Sequence, residues 1–142
     1  MSENRVFLDT NILIYAYDTS AGPKNHTAKD ILMRLWDSKK GMISTQVIQE
    51  FFVTVTCKIK KPIDIDTAKV IIKDLLLWQL FVNDESSILK AIDIHEEHQF
   101  SFWDAMILQA AVNGGAELLY TEDMTHGQVV QGVRIVNPFK KQ

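Results

Sequence analysis

The chain has 142 residues, a length that suits one compact domain spanning residues 1–142 with a sizeable buried core. Hydrophobic residues make up 46% of the sequence, which excludes an intrinsically disordered chain, and no apolar run reaches the roughly 18–20 residues that a membrane helix requires. The formal net charge of −3 argues against passive coating of nucleic acid, and the single cysteine excludes an internal disulfide and predicts a cytoplasmic setting.

Apolar periodicity predicts strands and helices that alternate along the chain. The first half is predicted to form a strand at 5–8, helices at 11–17 and 24–39, a strand at 41–43, and a helix from 45 to about 60. The second half is predicted to form a helix from 66, a strand at 80–82, helices at 85–97 and 102–112, and strands at 118–120 and 133–136. This alternation predicts a three-layer α/β/α fold around a central, mainly parallel sheet of about five strands.

The same patterns assign individual side chains to helix ends, helix faces and the core. Asp66 is predicted to cap the helix that begins there, and the pair Gly114-Gly115 to end the helix that begins after Ser101. One face of the helix at 85–97 is predicted to carry Ile88, Leu89, Ile92 and His95. Two side chains, Cys57 and Trp103, are expected to pack in the core.

Four acidic side chains stand where such a sheet can bring them together: Asp9, Glu50, Asp104 and Asp123. Asp9 ends the first strand and Asp123 follows the fourth, and ligands of open parallel sheets bind beyond the carboxyl ends of the strands. Glu50 lies in the second turn of the helix after the second strand, and Asp104 lies in the first turn of an apolar helix, where an unpaired charge is costly. Because oxygen-only clusters bind Mg²⁺ or Mn²⁺, the pattern predicts a metal site able to hydrolyse phosphodiesters.

Each acid also has a purely structural interpretation. Asp9 can cap the helix that follows it, and Asp104 can complete a capping box at the start of its own helix. Glu50 lies off the apolar stripe of its helix, which is typical of a solvated glutamate. Asp123 can be an ordinary turn residue, with Glu122 as a competing metal ligand. The residues alone leave these alternatives open.

The segments that carry the acids resemble the motifs of a known family. Residues 6–14 (VFLDTNILI), 44–52 (STQVIQEFF), 101–107 (SFWDAMI) and 119–124 (LYTEDM) resemble, in order and spacing, the four acidic motifs of PIN-domain nucleases. The resemblance extends along nearly the whole chain, and a small member of this kind most resembles a VapC-type toxin of a toxin–antitoxin pair. It therefore implies a PIN-like fold.

The resemblance implies a ribonuclease that depends on Mg²⁺ or Mn²⁺. By position, it assigns the catalytic and metal-binding roles to Asp9, Glu50, Asp104 and Asp123. Asn11 and Thr121 match polar positions that hold the metal site or its water in place. The family also implies an RNA substrate, an antitoxin protein as partner, and a homodimer.

Two other functions remain open at this stage. One is a non-catalytic module that uses the same fold to bind RNA or a protein. The other is a haloacid-dehalogenase-like phosphatase, which also begins with a strand and an aspartate but normally needs a second aspartate where Asn11 stands. Residues His95 and His98 have a spacing that can chelate zinc, although no further His or Cys cluster supports such a site. The basic cluster Lys58, Lys60 and Lys61 is typical of a solvated surface and can also steer RNA.

Overall fold

A computed structural model describes residues 4–140. The strands are β1 (Val6–Leu8), β2 (Gly41–Ser44), β3 (Gln79–Phe81), β4 (Leu118–Tyr120), β5 (Val129–Val130) and β6 (Val133–Val136). The helices are α1 (Thr10–Tyr17), α2 (Pro23–Ser38), α3 (Thr45–Cys57), α4 (Ile65–Leu75), α5 (Glu85–His98) and α6 (Phe102–Gly114). Within these residues no helix has both the length and the apolar character needed to cross a membrane.

The strands form one sheet in the order β3-β2-β1-β4-β6-β5. All neighbouring pairs are parallel except β5 with β6, which is antiparallel. Helices flank this sheet, so the predicted three-layer α/β/α fold is confirmed. The sheet has one strand more than expected, because β5 contains only two residues and is too short to produce a periodic signal.

The core lies between the sheet and the helices. The three residues of β1 are all buried, as expected for a central strand covered on both faces. Helix α6 buries seven consecutive residues, from Ala105 to Ala111, against β2, β4 and α5. Gly115 adopts a left-handed conformation (φ 85°) and ends α6, as the glycine pair predicted. Accessible residues of α6 are therefore confined to its first and last turns.

Two predictions of local structure are wrong. The N-cap of α4 is Asp64 rather than Asp66, because Asp64 accepts hydrogen bonds from both the backbone N–H and the hydroxyl of Thr67. Helix α5 exposes Ile88, Leu89 and Ile92 and instead buries Ser87, Ala91 and Ile94. Its packing against α6 thus uses small side chains, which periodicity weighted by large apolar residues does not select.

Two side chains expected in the core lie at the surface. Cys57 is exposed because α3 ends there, three residues earlier than predicted. Trp103 is 64% exposed, although its neighbours further along α6 are buried. Its ring packs edge-on against Phe102 at a centroid distance of 5.3 Å, and the rest of the indole faces solvent. The apolar character of α6 as a whole concealed the exposure of its first turn.

Candidate active site

The carboxyl ends of β1 and β4 meet at the centre of the sheet. Strand β1 pairs with β2 on one side and with β4 on the other, so the chain order reverses at β1. Such a reversal opens a crevice beyond the strand ends, where ligands of open α/β sheets bind. Asp9 follows β1 directly, and its backbone N–H donates to Tyr120 O at 3.0 Å. Asp9 therefore lies at the crevice.

Asp9 is buried, with 5% of its surface exposed, and both of its carboxylate oxygens are engaged. Its Oδ1 accepts from the backbone N–H of Thr10 at 2.7 Å, and its Oδ2 accepts from the Thr121 hydroxyl at 2.7 Å. Asp9 is also the N-cap of α1. The capping interpretation is therefore correct, and it is compatible with a site role because the carboxylate contacts both the helix end and Thr121 after β4.

Asn11 and Thr121 connect Asp9 to Asp123. The Thr121 hydroxyl, fully buried after β4, accepts from the backbone N–H of Asp123 at 3.2 Å. The side-chain amide of Asn11 donates to Asp123 Oδ2 at 2.8 Å. The two residues therefore orient the acids on either side of the crevice, in the arrangement expected of supporting residues.

Glu50 reaches the same edge from the second turn of α3. Helix α3 begins at Ser44, whose hydroxyl accepts from the backbone N–H of Val47 at 3.3 Å. The half-buried Glu50 carboxylate accepts from the Thr10 hydroxyl at 2.6 Å and from Gln46 Nε2 at 3.3 Å. These contacts tie it to the start of α1, so Glu50 is not the freely solvated glutamate that periodicity alone favours.

Asp104 stands in the first turn of α6, half-buried. Ser101 caps this helix, because its hydroxyl accepts from the backbone N–H of Asp104 at 3.1 Å. The start of α6 meets the start of α3, where Gln46 Nε2 donates to the carbonyl oxygen of Trp103 at 3.4 Å. Asp104 thus lies beside the helix that carries Glu50, near enough to Asp9 for its charge to act on that carboxylate.

Burial and neighbouring charges both raise the pKa of two of the acids. Burial raises the pKa of Asp9 to about 7 against the opposing hydrogen bonds from Thr121 and Thr10, and the charges of Asp123 and Asp104 raise it further. Burial also raises the pKa of Asp104, hydrogen bonding to Ser101 opposes this, and the charges of Asp123 and Glu50 add to the increase. Asp123 and Asp104 therefore lie close enough to Asp9, and Asp123 and Glu50 close enough to Asp104, for their charges to matter.

Comparison with known proteins identifies the family. The model of the PIN domain matches residues 6–129, most of the chain and every acid described above. The chain belongs to the PIN-domain family. No curated protein is similar enough in sequence to count as a match.

Two solved structures share the fold of this PIN domain. One is a toxin–antitoxin complex from Klebsiella pneumoniae, with a TM-score of 0.70 and 20% identity over 96% of this chain and 99% of that chain. The other is VapC20 from Mycobacterium tuberculosis, a toxin that cleaves the sarcin–ricin loop, with a TM-score of 0.57 and 20% identity over 80% of this chain and 86% of that chain.

The donor set of this PIN domain suits a hard divalent cation. All four acids offer oxygen, the ligand that Mg²⁺ and Mn²⁺ prefer. A bound cation would also offset the unfavourable energy of bringing their negative charges together. Within residues 4–140 no three His, Cys, Asp or Glu side chains converge closely enough to form a ready-made cage. Mg²⁺ does not need one, because it usually keeps several waters and binds through one or two carboxylates plus substrate phosphate. The residues present therefore fit the ion.

An open groove of about 530 Å³ leads away from the acids along α3. It is lined by Thr10, Asn11, Ile14, Gln49, Glu50, Val53, Thr54, Lys58 and Asp123. Two of the four acids, Glu50 and Asp123, line this groove. Lys58, exposed just beyond the end of α3, is the one basic side chain among its lining residues. The groove is wide and open, which suits a polymer better than a small enclosed ligand.

Glu122, the competing ligand, is directed away from the crevice. Its carboxylate accepts from the Tyr15 hydroxyl at 2.6 Å and pairs with Lys24. Burial alone would raise the pKa of Glu122, but the hydrogen bonds from Lys24 and Tyr15 hold it below its ordinary value. Asp123 is the member of this pair that faces Asn11 and the other acids.

Sequence reasoning missed two side chains of the site, Thr10 and Gln46. Both contact Glu50, and the spacing of Gln46 and Glu50, four residues apart on α3, is the signal that places them on one helix face. The two histidines of α5 lie elsewhere: His95 contacts the carbonyl oxygen of Phe100, and His98 lies near Glu97. Neither belongs to a group of three metal-ligating side chains in the part of the chain that the structure describes.

Proposed function

We propose that this PIN domain is a divalent-metal-dependent endoribonuclease and the toxin of a toxin–antitoxin pair. The observation that carries the proposal is the convergence of Asp9, Glu50, Asp104 and Asp123, from four separate segments, on the switch point of the sheet. The motif order, the PIN family membership and the fold shared with two toxin structures support it.

The proposed chemistry is hydrolysis of an RNA phosphodiester. When bound, Mg²⁺ or Mn²⁺ supplies a water of lowered pKa and positive charge against the phosphate oxygens. One or two of the four carboxylates would hold the ion directly and the others through its waters, and one of them would accept the proton from the attacking water. Thr121 keeps Asp9 oriented through its 2.7 Å hydrogen bond, and Asn11 does the same for Asp123. Both of these acids thus have a positioning partner that acts before the substrate arrives.

The RNA path follows the groove along α3. A single strand needs positive charge for its backbone and aromatic surface for its bases. Lys58 supplies the charge inside the groove, and the exposed Trp103, next to Asp104 in the first turn of α6, supplies an aromatic face. The net negative charge of the chain is compatible with this path, since only local contacts are required.

The deciding experiment is RNA cleavage by the purified protein. We expect cleavage with Mg²⁺ or Mn²⁺, none in EDTA, and a loss of about 100-fold or more in Asp104→Asn, because a site acid that handles a proton or an ion contributes on that scale. Asp66→Asn is the matched control, since Asp66 is exposed in the first turn of α4, and it should retain full activity.

Two outcomes contradict the proposal. Full activity in EDTA would contradict the dependence on a metal ion. Full activity of Asp104→Asn would contradict the assignment of the active site to the four acids. A protein that never cleaves RNA but binds it tightly without metal would instead support the non-catalytic binding module. A phosphatase of the haloacid-dehalogenase type would be indicated by a phosphoaspartate trapped on Asp9, although Asn11 donates to Asp123 where that chemistry needs a further acid.

The proposed partners are an antitoxin and a second copy of the chain, in the cytoplasm where RNA substrates occur. The structure from Klebsiella pneumoniae that shares this fold is itself a toxin–antitoxin complex, which supports the first partner. Trp36, Leu77 and Trp78 line one apolar cavity of about 420 Å³, and Leu77 is 80% exposed, so this surface is free to make a protein contact. Sedimentation should give a dimer, and a monomer at working concentration contradicts the second partner.

A further inference from the structure

Gln46 is a buried polar side chain beside the acids whose carbonyl oxygen is unsatisfied. The residue is only 7% exposed, and its Nε2 lies between two acceptors, Glu50 Oε2 at 3.3 Å and the carbonyl oxygen of Trp103 at 3.4 Å. Because both neighbours of this nitrogen accept, the orientation of the amide is determined. Its Oε1 is buried and has no hydrogen-bond partner among residues 4–140.

The hydrogen bonds of Gln46 do little to offset the cost of burying its amide. An unsatisfied buried carbonyl costs about 1–3 kcal/mol, and nearly all buried polar atoms in proteins have a partner. The two hydrogen bonds made by Nε2 are longer than the usual range, so they return little of that cost. An unbranched apolar side chain such as Met would fill the same space without the cost of an unsatisfied buried oxygen.

The position of Gln46 joins two of the acids. It stands in the first turn of α3, one helical turn before Glu50, and it contacts the carbonyl oxygen of Trp103, the residue that precedes Asp104 in α6. The one amide group therefore connects the helix that carries Glu50 to the helix that carries Asp104. Its Oε1 belongs to the same amide group as Nε2, so no more than the amide and one hydrogen bond separates it from the Glu50 carboxylate.

We propose that Gln46 is a positioning residue of the metal site, with its amide nitrogen holding Glu50 against the start of α6 and its carbonyl oxygen serving the hydrated cation. The inference rests on the proposed function, because it needs the divalent ion. An amide oxygen is a hard neutral acceptor that suits Mg²⁺ or the waters around it. Binding of the ion supplies the partner that Oε1 lacks.

The test measures Mn²⁺ binding to Gln46→Met by calorimetry, with thermal unfolding of the metal-free protein alongside. We expect the Kd for Mn²⁺ to rise by about 10–100-fold, the usual effect of removing a group that orients metal ligands. The Tm of the metal-free protein should stay the same or increase, because the unsatisfied oxygen is gone. Raising the Mn²⁺ concentration should restore RNA cleavage to the variant.

Gln109→Met is the matched control. Gln109 is fully buried in α6, and its amide is fully engaged: it donates to Asn83 Oδ1 at 2.8 Å and to the carbonyl oxygen of Met106, and it accepts from Asn113 at 3.1 Å. The same substitution there should lower the Tm and leave the Kd for Mn²⁺ unchanged. The two glutamines are thus expected to show opposite responses in the two measurements.

A second measurement uses the unaltered protein and does not depend on how the variant folds. Addition of Mg²⁺ should shift the side-chain amide resonance of Gln46 in a ¹⁵N–¹H spectrum and leave that of Gln109 in place. A Gln46 resonance that does not respond to Mg²⁺, or a Gln46→Met variant that binds Mn²⁺ as tightly as the unaltered protein, overturns the inference.

The failure of this inference can be told apart from failure of the proposed function. If the unaltered protein binds Mn²⁺, Asp104→Asn loses that binding and Gln46→Met keeps it, then the ribonuclease proposal stands and the role of Gln46 falls. If the unaltered protein neither binds Mn²⁺ nor cleaves RNA, both fall together.

Discussion

Glu122 and Asp123 are neighbours of the same charge in opposite surroundings. Glu122 is held by Lys24 and Tyr15, and Lys24 also lies over the Tyr15 ring at 5.1 Å from its centroid. Asp123 instead faces Asn11 and raises the pKa of Asp9. At the scale of single residues, hydrogen-bond partners therefore distinguish a structural acid from a candidate ligand where the sequence shows only two adjacent carboxylates.

This difference predicts separate effects for the two variants. Asp123→Asn should lose most RNA cleavage, whereas Glu122→Gln should retain it and be only slightly less stable, because an exposed ion pair contributes little. Cleavage assays and urea unfolding of both variants provide the measurement. Loss of cleavage in Glu122→Gln with normal folding would mean that the ligands have been assigned the wrong way round.

At the scale of elements, two helices present their acids from their first two turns. Helix α3 carries Glu50 and helix α6 carries Asp104, and each helix begins at a serine whose hydroxyl accepts a backbone N–H. Helix α3 also forms a wall of the groove, which continues past the end of the helix to Lys58. The helix therefore supplies both a candidate ligand and one wall of the groove proposed to bind the substrate.

The position of Lys58 in the groove along α3 predicts a specific role for this side chain. Lys58→Ala should increase KM for RNA several-fold with little change in kcat, and it should reduce the salt slope of RNA binding by about 1, because one phosphate contact is lost. Lys60→Ala is the matched control, since Lys60 is exposed close by and does not line the groove. Equal effects of the two substitutions would indicate general attraction by the basic cluster rather than a contact in the groove.

At the scale of the whole molecule, the sheet buries the Asp9 carboxylate, and burial disfavours its ionised form. Asp9 follows the central strand, is 5% exposed, and has a pKa raised from 3.8 to about 7. The folded state of the metal-free protein therefore retains a proton that the unfolded chain releases in this range. Stability is unaffected below about pH 4, falls as pH rises between about 4 and 7, and stays at the lower value above that.

The expected size of this effect is about 4 kcal/mol, at about 1.4 kcal/mol per pKa unit. Urea unfolding of the metal-free protein from pH 4 to 8 should show the decline, and Asp9→Asn should flatten it and raise stability at pH 8. Saturating Mg²⁺ should restore stability to the unaltered protein at pH 8 and should do so far less for Asp9→Asn. A metal-free protein as stable at pH 8 as at pH 5 contradicts the raised pKa.

The sequence by itself determined the alternation of strands and helices, and with it the fold class. Periodicity depends on which residues are apolar, and the buried runs of β1 and α6 carry that signal strongly. The order and spacing of the four acids were also readable, because a strand end or a first helical turn positions the residue that follows it. The resemblance to PIN-domain nucleases rested on those same segments.

Only the tertiary structure decided which groups meet. The exposure of Trp103, the capture of Glu122 by Lys24, and the buried amide of Gln46 between α3 and α6 all depend on contacts between segments distant in the chain. Local propensity does not record such contacts, because the free energy of a polar group is set by its partners and its burial rather than by its neighbours in sequence. The acids were visible in the chain, but their partners became visible only when the sheet brought the strand ends together.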